Sequence, residues 1–239
     1  MNEFSFIQFS DTINDCDIPL PIKLMSDVAF YTDKDTYSIW AYNNARTSSI
    51  NIGADIVSLG GGLKYIKLIG EIPYSNECFT INLINEAGTL INISNPLFYS
   101  ENEDYSLVKY YCHETRFGFK YGTAGATYPN KIRLPLRLHD VQFPQQDEIY
   151  IDAMGVRRLL TSRVDKEYTL ETDYLSVEMH EKIIVALSHN FVFINDEQLQ
   201  RSGAYEIDYE NELLSDCGEK LYKGTARMAR NTTLLNLNC

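Results

Sequence analysis

One stretch of this chain carries helical periodicity, and that scarcity constrains the fold more than any other feature. His180, Ile183, Ile184 and Leu187 fall at i, i+3, i+4 and i+7, a spacing that gathers side chains on one face of a helix over 176–190. Ser176 is a good N-cap, and Glu178 and Glu181 suit the positive end of the helix dipole. Elsewhere the regular pattern has period two, which is that of a half-buried strand. Phe79, Ile81 and Leu83 point one way while Thr80 and Asn82 point the other. Leu134, Leu136 and Leu138 oppose Arg133, Arg137 and His139, and Tyr168, Leu170, Thr172 and Tyr174 oppose Thr169, Glu171 and Asp173. Turn chemistry at Asn85-Glu86-Ala87-Gly88 and Ala153-Met154-Gly155 joins such strands into hairpins. The expected fold is mainly β (α+β): a β-sandwich-like N-terminal part, then an antiparallel sheet with one packed amphipathic helix.

Punctuation suggests three parts. Residues 1–24 hold short apolar and acidic alternations and then Pro19 and Pro21, which remove ladder donors. They read as an extended arm that either adds to a neighbour's sheet or lies at the edge of its own domain. Residues 25–104 form the sandwich-like domain, closed by the acidic run around 100–106. Residues 105–239 form a β-rich domain with the helix and a polar tail from Asn231 to Cys239. The triple glycine at 60–62 is followed by neither the Lys-Ser/Thr of a phosphate loop nor a helix, so it reads as a turn or bulge.

Charge narrows the partners. With 33 acidic and 21 basic residues the net charge is −12. Such a surface repels phosphate backbones and disfavours wrapping nucleic acid. Five cysteines, an odd count with no CxxC pair, argue for reduced thiols rather than a disulfide framework or a metal centre. No N-terminal export signal is evident, and no run approaches the ~18–20 apolar residues of a membrane span.

No catalytic constellation stands out. His180 and His189 lie about 13–14 Å apart along the helix, too far to share a metal or a proton. His180 reads as a hydrogen-bonded core or interface histidine, and His189 as a cap on the helix C-terminus. Glu167, Glu171 and Asp173 could serve glycoside chemistry but fit a solvated strand face better. There is no G-x-S-x-G elbow, and Cys112 and His113, neighbours in a strand, point to opposite faces. Trp40, Tyr42 and the many tyrosines, 17 in all, fit a core better than a ligand platform. We therefore expect no enzyme, no cofactor and no metal site. Pro135 marks an edge strand, and the candidate interface residues are Arg133, Arg137, His139, His180, Pro19, Pro21 and Cys239.

The segments RLPLRLH (133–139), KEYTLETDY (166–174), HEKIIVALSH (180–189), FVFIN (191–195) and NISNPLFYS (92–100) together resemble structural proteins of the neck and tail of tailed phages of gut Bacteroidetes, the crAss-like group. The resemblance covers roughly the last 150 residues and carries no catalytic residues. It implies a virion protein assembled in the host bacterial cytoplasm, a subunit of a homo-oligomeric ring or hub through which DNA passes. It further implies six- or twelvefold self-association, neighbouring portal, ring or tail proteins as partners, no specific nucleic acid and no membrane. Two other classes remain open: a glycan- or host-surface-binding β-sandwich module, which predicts exposed Trp and Tyr at one end, and a glycan hydrolase, which predicts paired carboxylates of split pKa.

Overall fold

The computed structural model describes residues 6–11, 19–36, 38–113, 115–116, 119–123 and 126–230. The first half carries β1 (Phe9–Ser10), β2 (Leu20–Ile22), a 3-10 turn (Met25–Asp27), β3 (Ala29–Thr32), β4 (Ser38–Asn43), β5 (Ser49–Gly60), β6 (Leu63–Ile69), β7 (Phe79–Ile84), β8 (Leu90–Ser94) and β9 (Leu97–Tyr99). Next come β10 (Ser106–Tyr111) and the small pairs β11 (Thr115–Arg116) with β12 (Phe119–Lys120) and β13 (Gly122–Thr123) with β14 (Ala126–Thr127). The second half continues with β15 (Asn130–Leu134), β16 (Leu136–Gln142), β17 (Gln145–Ile151), β18 (Arg157–Val164), β19 (Glu167–Thr172) and β20 (Leu175–Ser176). Helix α1 (Val177–Leu187), β21 (Phe191–Ile194), β22 (Glu197–Leu214) and β23 (Lys220–Arg230) complete the order. The protein is mainly β, as the alternation predicts, with α1 the one α-helix among the described residues.

Strand β5 joins the two halves of the hydrogen-bonded network. Its residues Ser49–Ile52 pair with β4, and from Gly53 onward it pairs with β6. On the first side β4 lies against β7, which is flanked by β8 and β9. On the second, β6 leads through β3, β15, β10, β21, β22, β23 and β19 to β16. The glycines at 60–62 make the β5–β6 turn: Gly61 and Gly62 have φ of +64° and +81°, the left-handed region that a two-residue hairpin loop needs and that residues with a Cβ disfavour.

A division at residue 104 does not survive in the structure. One apolar core runs across it, uniting Ile39, Phe79 and Leu83 with Val108, Ile132, Leu170 and Ile183. A buried ion pair also crosses it. Arg133 Nε donates to Asp27 Oδ2 at 2.6 Å, and the same oxygen accepts from the amides of Lys23 and Leu24. The acidic run at 100–106 is therefore a surface connection within one body.

The arm expected over 1–24 is likewise part of that body where it is described. β1 pairs with β8, β2 lies parallel to β9, and Phe6, Ile7, Leu20 and Ile22 are buried in the common core. Pro21 sits in β2, an edge strand, where its missing N–H costs no ladder bond. Burial of four apolar side chains, each stabilising by about 1.5–3 kcal/mol, favours this docking over an extended arm.

Helix α1 starts as its sequence predicts, with Ser176 Oγ accepting from the Met179 amide. Its buried face holds Met179, His180, Lys182, Ile183, Ala186 and Leu187, while Ile184 is only half buried. His180 is fully buried. Its Nε2 donates to the Tyr222 carbonyl at 2.9 Å, which leaves Nδ1 to accept from the Tyr205 hydroxyl at 2.6 Å. Gly224 lies directly beneath: a Cβ there would collide with the Tyr205 hydroxyl and come within 2.9 Å of His180 Nδ1. His189 caps the other end, with Nδ1 2.7 Å from the Val185 carbonyl and Nε2 2.7 Å from the Tyr121 hydroxyl.

Strands β16 and β19 continue outward as β17 and β18. The register runs from Leu136 opposite Thr172 to Ile151 opposite Arg157, with a break where Asp165 donates to the Pro144 carbonyl. Beyond that break β17 and β18 bond only to each other. This two-stranded ribbon turns at the expected Ala153-Met154-Gly155. Met154 is 83% exposed, and Ile149, Ile151 and Val156 are each more than half exposed.

Candidate functional site: an aromatic groove at the root of the ribbon

Where β16 and β19 leave the body, a groove of about 560 Å³ opens. This lies within the range of ligand-occupied clefts. Five segments build it. β2 brings Pro19 and Pro21, and β9 brings Phe98 and Tyr99. The loop before β7 brings Glu77 and Cys78, and the loop before β10 brings Tyr105. The ribbon root brings Pro135, Asp173 and Tyr174. The amide of Asp173 donates to the Pro135 carbonyl at 2.8 Å, tying the two root strands together at the groove wall.

Its aromatic rings are held in place. Phe98 and Tyr105 meet edge to face at 5.8 Å, and the Tyr105 carbonyl accepts from Arg133 Nη1 at 3.0 Å. The Tyr99 hydroxyl donates to Glu101. Lys223 lies over the Tyr174 ring, 5.2 Å from its centre, and bonds Glu171 at 3.3 Å. The charged lining side chains are Glu77 and Asp173, both carboxylates. Cys78 is a free thiol on the wall, its pKa pushed up by burial and by Glu77. A second depression of about 120 Å³ shares Tyr105, Pro135 and Asp173 with the groove and adds Asp104, Arg137 and Glu171. The result is an apolar, aromatic floor with an acidic rim.

The candidate residues separate on this geometry. Pro19 and Pro21 line the groove. Arg133 does not face outward: its guanidinium is spent on Asp27 and Tyr105, and it acts on the groove only by fixing Tyr105. Arg137 is exposed, 3.8 Å from Glu171. His139 Nε2 lies 3.1 Å from Glu171 but off the line of a hydrogen bond, and its Nδ1 is 2.8 Å from Asp140. His180 belongs to the core, not to a surface. Cys239 lies outside the described residues. Cys217 is disulfide-bonded, which corrects the expectation of reduced thiols throughout.

Among the described residues, six tyrosines are buried: Tyr31, Tyr65, Tyr110, Tyr121, Tyr168 and Tyr222. Tyr31, Tyr65 and Tyr121 form a second cluster with Cys112, and Tyr128 packs on it. Tyr31 and Tyr65 donate to the carbonyls of Tyr128 and Pro129, and burial drives all three phenols well above their usual pKa. Trp40 is half buried on β4, its indole N–H on Ser38, and takes no part in the groove. As for paired carboxylates, burial pulls Glu171 up, but Lys223, Arg137 and His139 together outweigh it and hold it below its usual value. That is opposite to the shift a general acid needs.

The sequence pattern names Pro19, Pro21, Pro135, Glu171 and Asp173 but not the groove, nor Glu77, Phe98, Tyr99 and Tyr105 as its walls. These come from loops brought together only by the tertiary fold, and no local periodicity marks them. Compared with protein-family models, curated proteins and solved structures, the chain finds no match.

Proposed function

We propose that this protein is a structural subunit of a tailed-phage particle that builds a homo-oligomeric ring or hub in the neck or tail. The ribbon carries the reading. Beyond a body with a large apolar core, the chain extends a two-stranded element with Ile149, Ile151, Met154 and Val156 exposed. An isolated pair of strands is marginal in water, and uncovered apolar side chains mark contact surfaces. A subunit that repeats one contact around an axis gives such an element its cover. The resemblance of 133–195 to phage neck and tail proteins supplies the setting, and the net charge of −12 suits a surface past which DNA slides without sticking. The test is the oligomeric state of the full chain by mass photometry and negative-stain imaging. Closed rings support the reading; a monomer at every concentration, both alone and with the neighbouring virion proteins, overturns it.

A further inference from the structure

We propose that the aromatic groove receives the tip of the 145–164 ribbon from a second copy of this chain. The inference rests on the assembly reading and specifies the contact through which assembly occurs. Groove and tip lie at opposite ends of one ribbon. Pro135, Asp173 and Tyr174 wall the groove where the ribbon leaves the body, and Met154 stands at the far end. About 18 residues of extended strand, or roughly 55–60 Å along the chain, separate Pro135 from the turn. Among the described residues, none of the groove's walls comes from 141–166, so the tip does not line the groove of its own chain.

The two ends are chemically matched. The tip offers a methionine and β-branched side chains to a floor of Phe98, Tyr99, Tyr105 and prolines, and thioethers pack favourably against aromatic edges. Arg157, exposed, follows the turn directly, and Asp152, half-buried, precedes it. The groove presents Glu77 and Asp173, and the adjoining depression adds Asp104 beside the Arg137–Glu171 pair. Exposed Arg157 thus faces the carboxylates of Glu77 and Asp173, a complementarity that fixes the direction of docking. Because donor and acceptor surfaces differ, the contact is heterologous. It runs head to tail and closes into a ring, or extends as a filament if the rotation does not close.

Cys78 provides a built-in reporter, since it is a free thiol on the groove wall. The full chain bearing Met154→Cys is treated with a short bismaleimide. Covalent dimers and higher multimers are expected; they should be absent when Cys78→Ser is added and absent from the parent chain. Independently, Met154→Asp and Glu77→Lys are each expected to weaken self-association by at least about tenfold. Mixed together, they should form dimers and nothing larger, because one chain keeps an intact groove and the other an intact tip. If assemblies persist in both single variants and no cross-link reaches Cys78, the groove–ribbon contact is wrong while the assembly reading stands. If the parent chain is monomeric and no cross-link forms even beside the neighbouring virion proteins, both fall.

Discussion

The body and the ribbon are made of equally regular antiparallel strands, yet they differ in what their side chains touch. In the body, strands such as β10 and β19 alternate buried and half-buried residues over a shared core. Between Gln145 and Val164 the ladder is just as complete apart from one bulge, but among the described residues no third strand joins it and Ile149, Ile151 and Val156 stay more than half exposed. A backbone ladder satisfies the peptide groups without deciding whether the side chains have a home. The body is specified by its interior, whereas the ribbon gains an interior only when another surface supplies one. Substitutions should therefore unfold the first and leave the second folded but unable to assemble.

The sharpest break of that contrast is at Asp27. Asp27→Ala removes the acceptor of Arg133 and of two backbone amides, leaving a guanidinium that is 84% buried facing no carboxylate. Loss of one partner of such a pair costs about 3–5 kcal/mol. Urea unfolding should show one cooperative transition shifted by that amount. Two separate transitions, with only the first shifted, would restore a boundary near residue 104.

Next in size is Gly224→Ala. The new Cβ must expel the Tyr205 hydroxyl from His180, and overpacking of this kind costs about 1–3 kcal/mol. Adding Tyr205→Phe removes the colliding oxygen, so part of the loss should return in the double variant. Two fully additive losses would place the strain elsewhere.

His180 also gives the body a pH signature. Burial lowers its imidazole below the usual 6.5, opposed in part by the hydrogen bond to the Tyr222 carbonyl. The folded chain then binds the proton less readily than the unfolded one. The stability it contributes is full above about pH 6.5 and falls as the pH drops below that value, by at most about 1.4 kcal/mol per unit. Glu171, also held low, acts in the same direction but loses its share only as the pH falls below the ordinary carboxylate range near 4.5. Melting temperatures measured between pH 6.5 and 4.5 should therefore slope downward in the parent chain and more gently in His180→Gln. Equal slopes would assign the effect to another group.

How much of this the sequence discloses follows the same division. Local signals are legible: the Ser176 cap and the helix behind it, the turn at Ala153-Met154-Gly155, the glycine turn at 60–62, and His189 as the C-terminal cap of α1. Local charge and proline content also make 100–106 look like a boundary and 1–24 like an arm. Neither pattern reports that β3 pairs with β15 across 100 residues, or that Leu20 and Ile22 find β9. The groove is invisible for that reason, as its walls meet only after those long-range pairings form. The ribbon leaves one trace, the consecutive Ile149-Tyr150-Ile151, which breaks period two where no single face can be buried.

The smallest expected effect is therefore the most discriminating. Ile151→Ser places a polar residue at a position already 56% exposed and opposite Arg157 in a ladder that needs only its backbone. Measured under conditions where the chain is monomeric, its unfolding free energy should stay within about 0.5 kcal/mol of the parent, as for surface sites without special contacts. The same chain should lose assembly at concentrations where the parent associates. A loss of several kcal/mol in the monomer would mean that Ile151 is covered by its own chain, and the contrast between body and ribbon would fail at that residue. Unchanged stability together with unchanged assembly would move the contact away from this face of the ribbon, toward Met154 at its end.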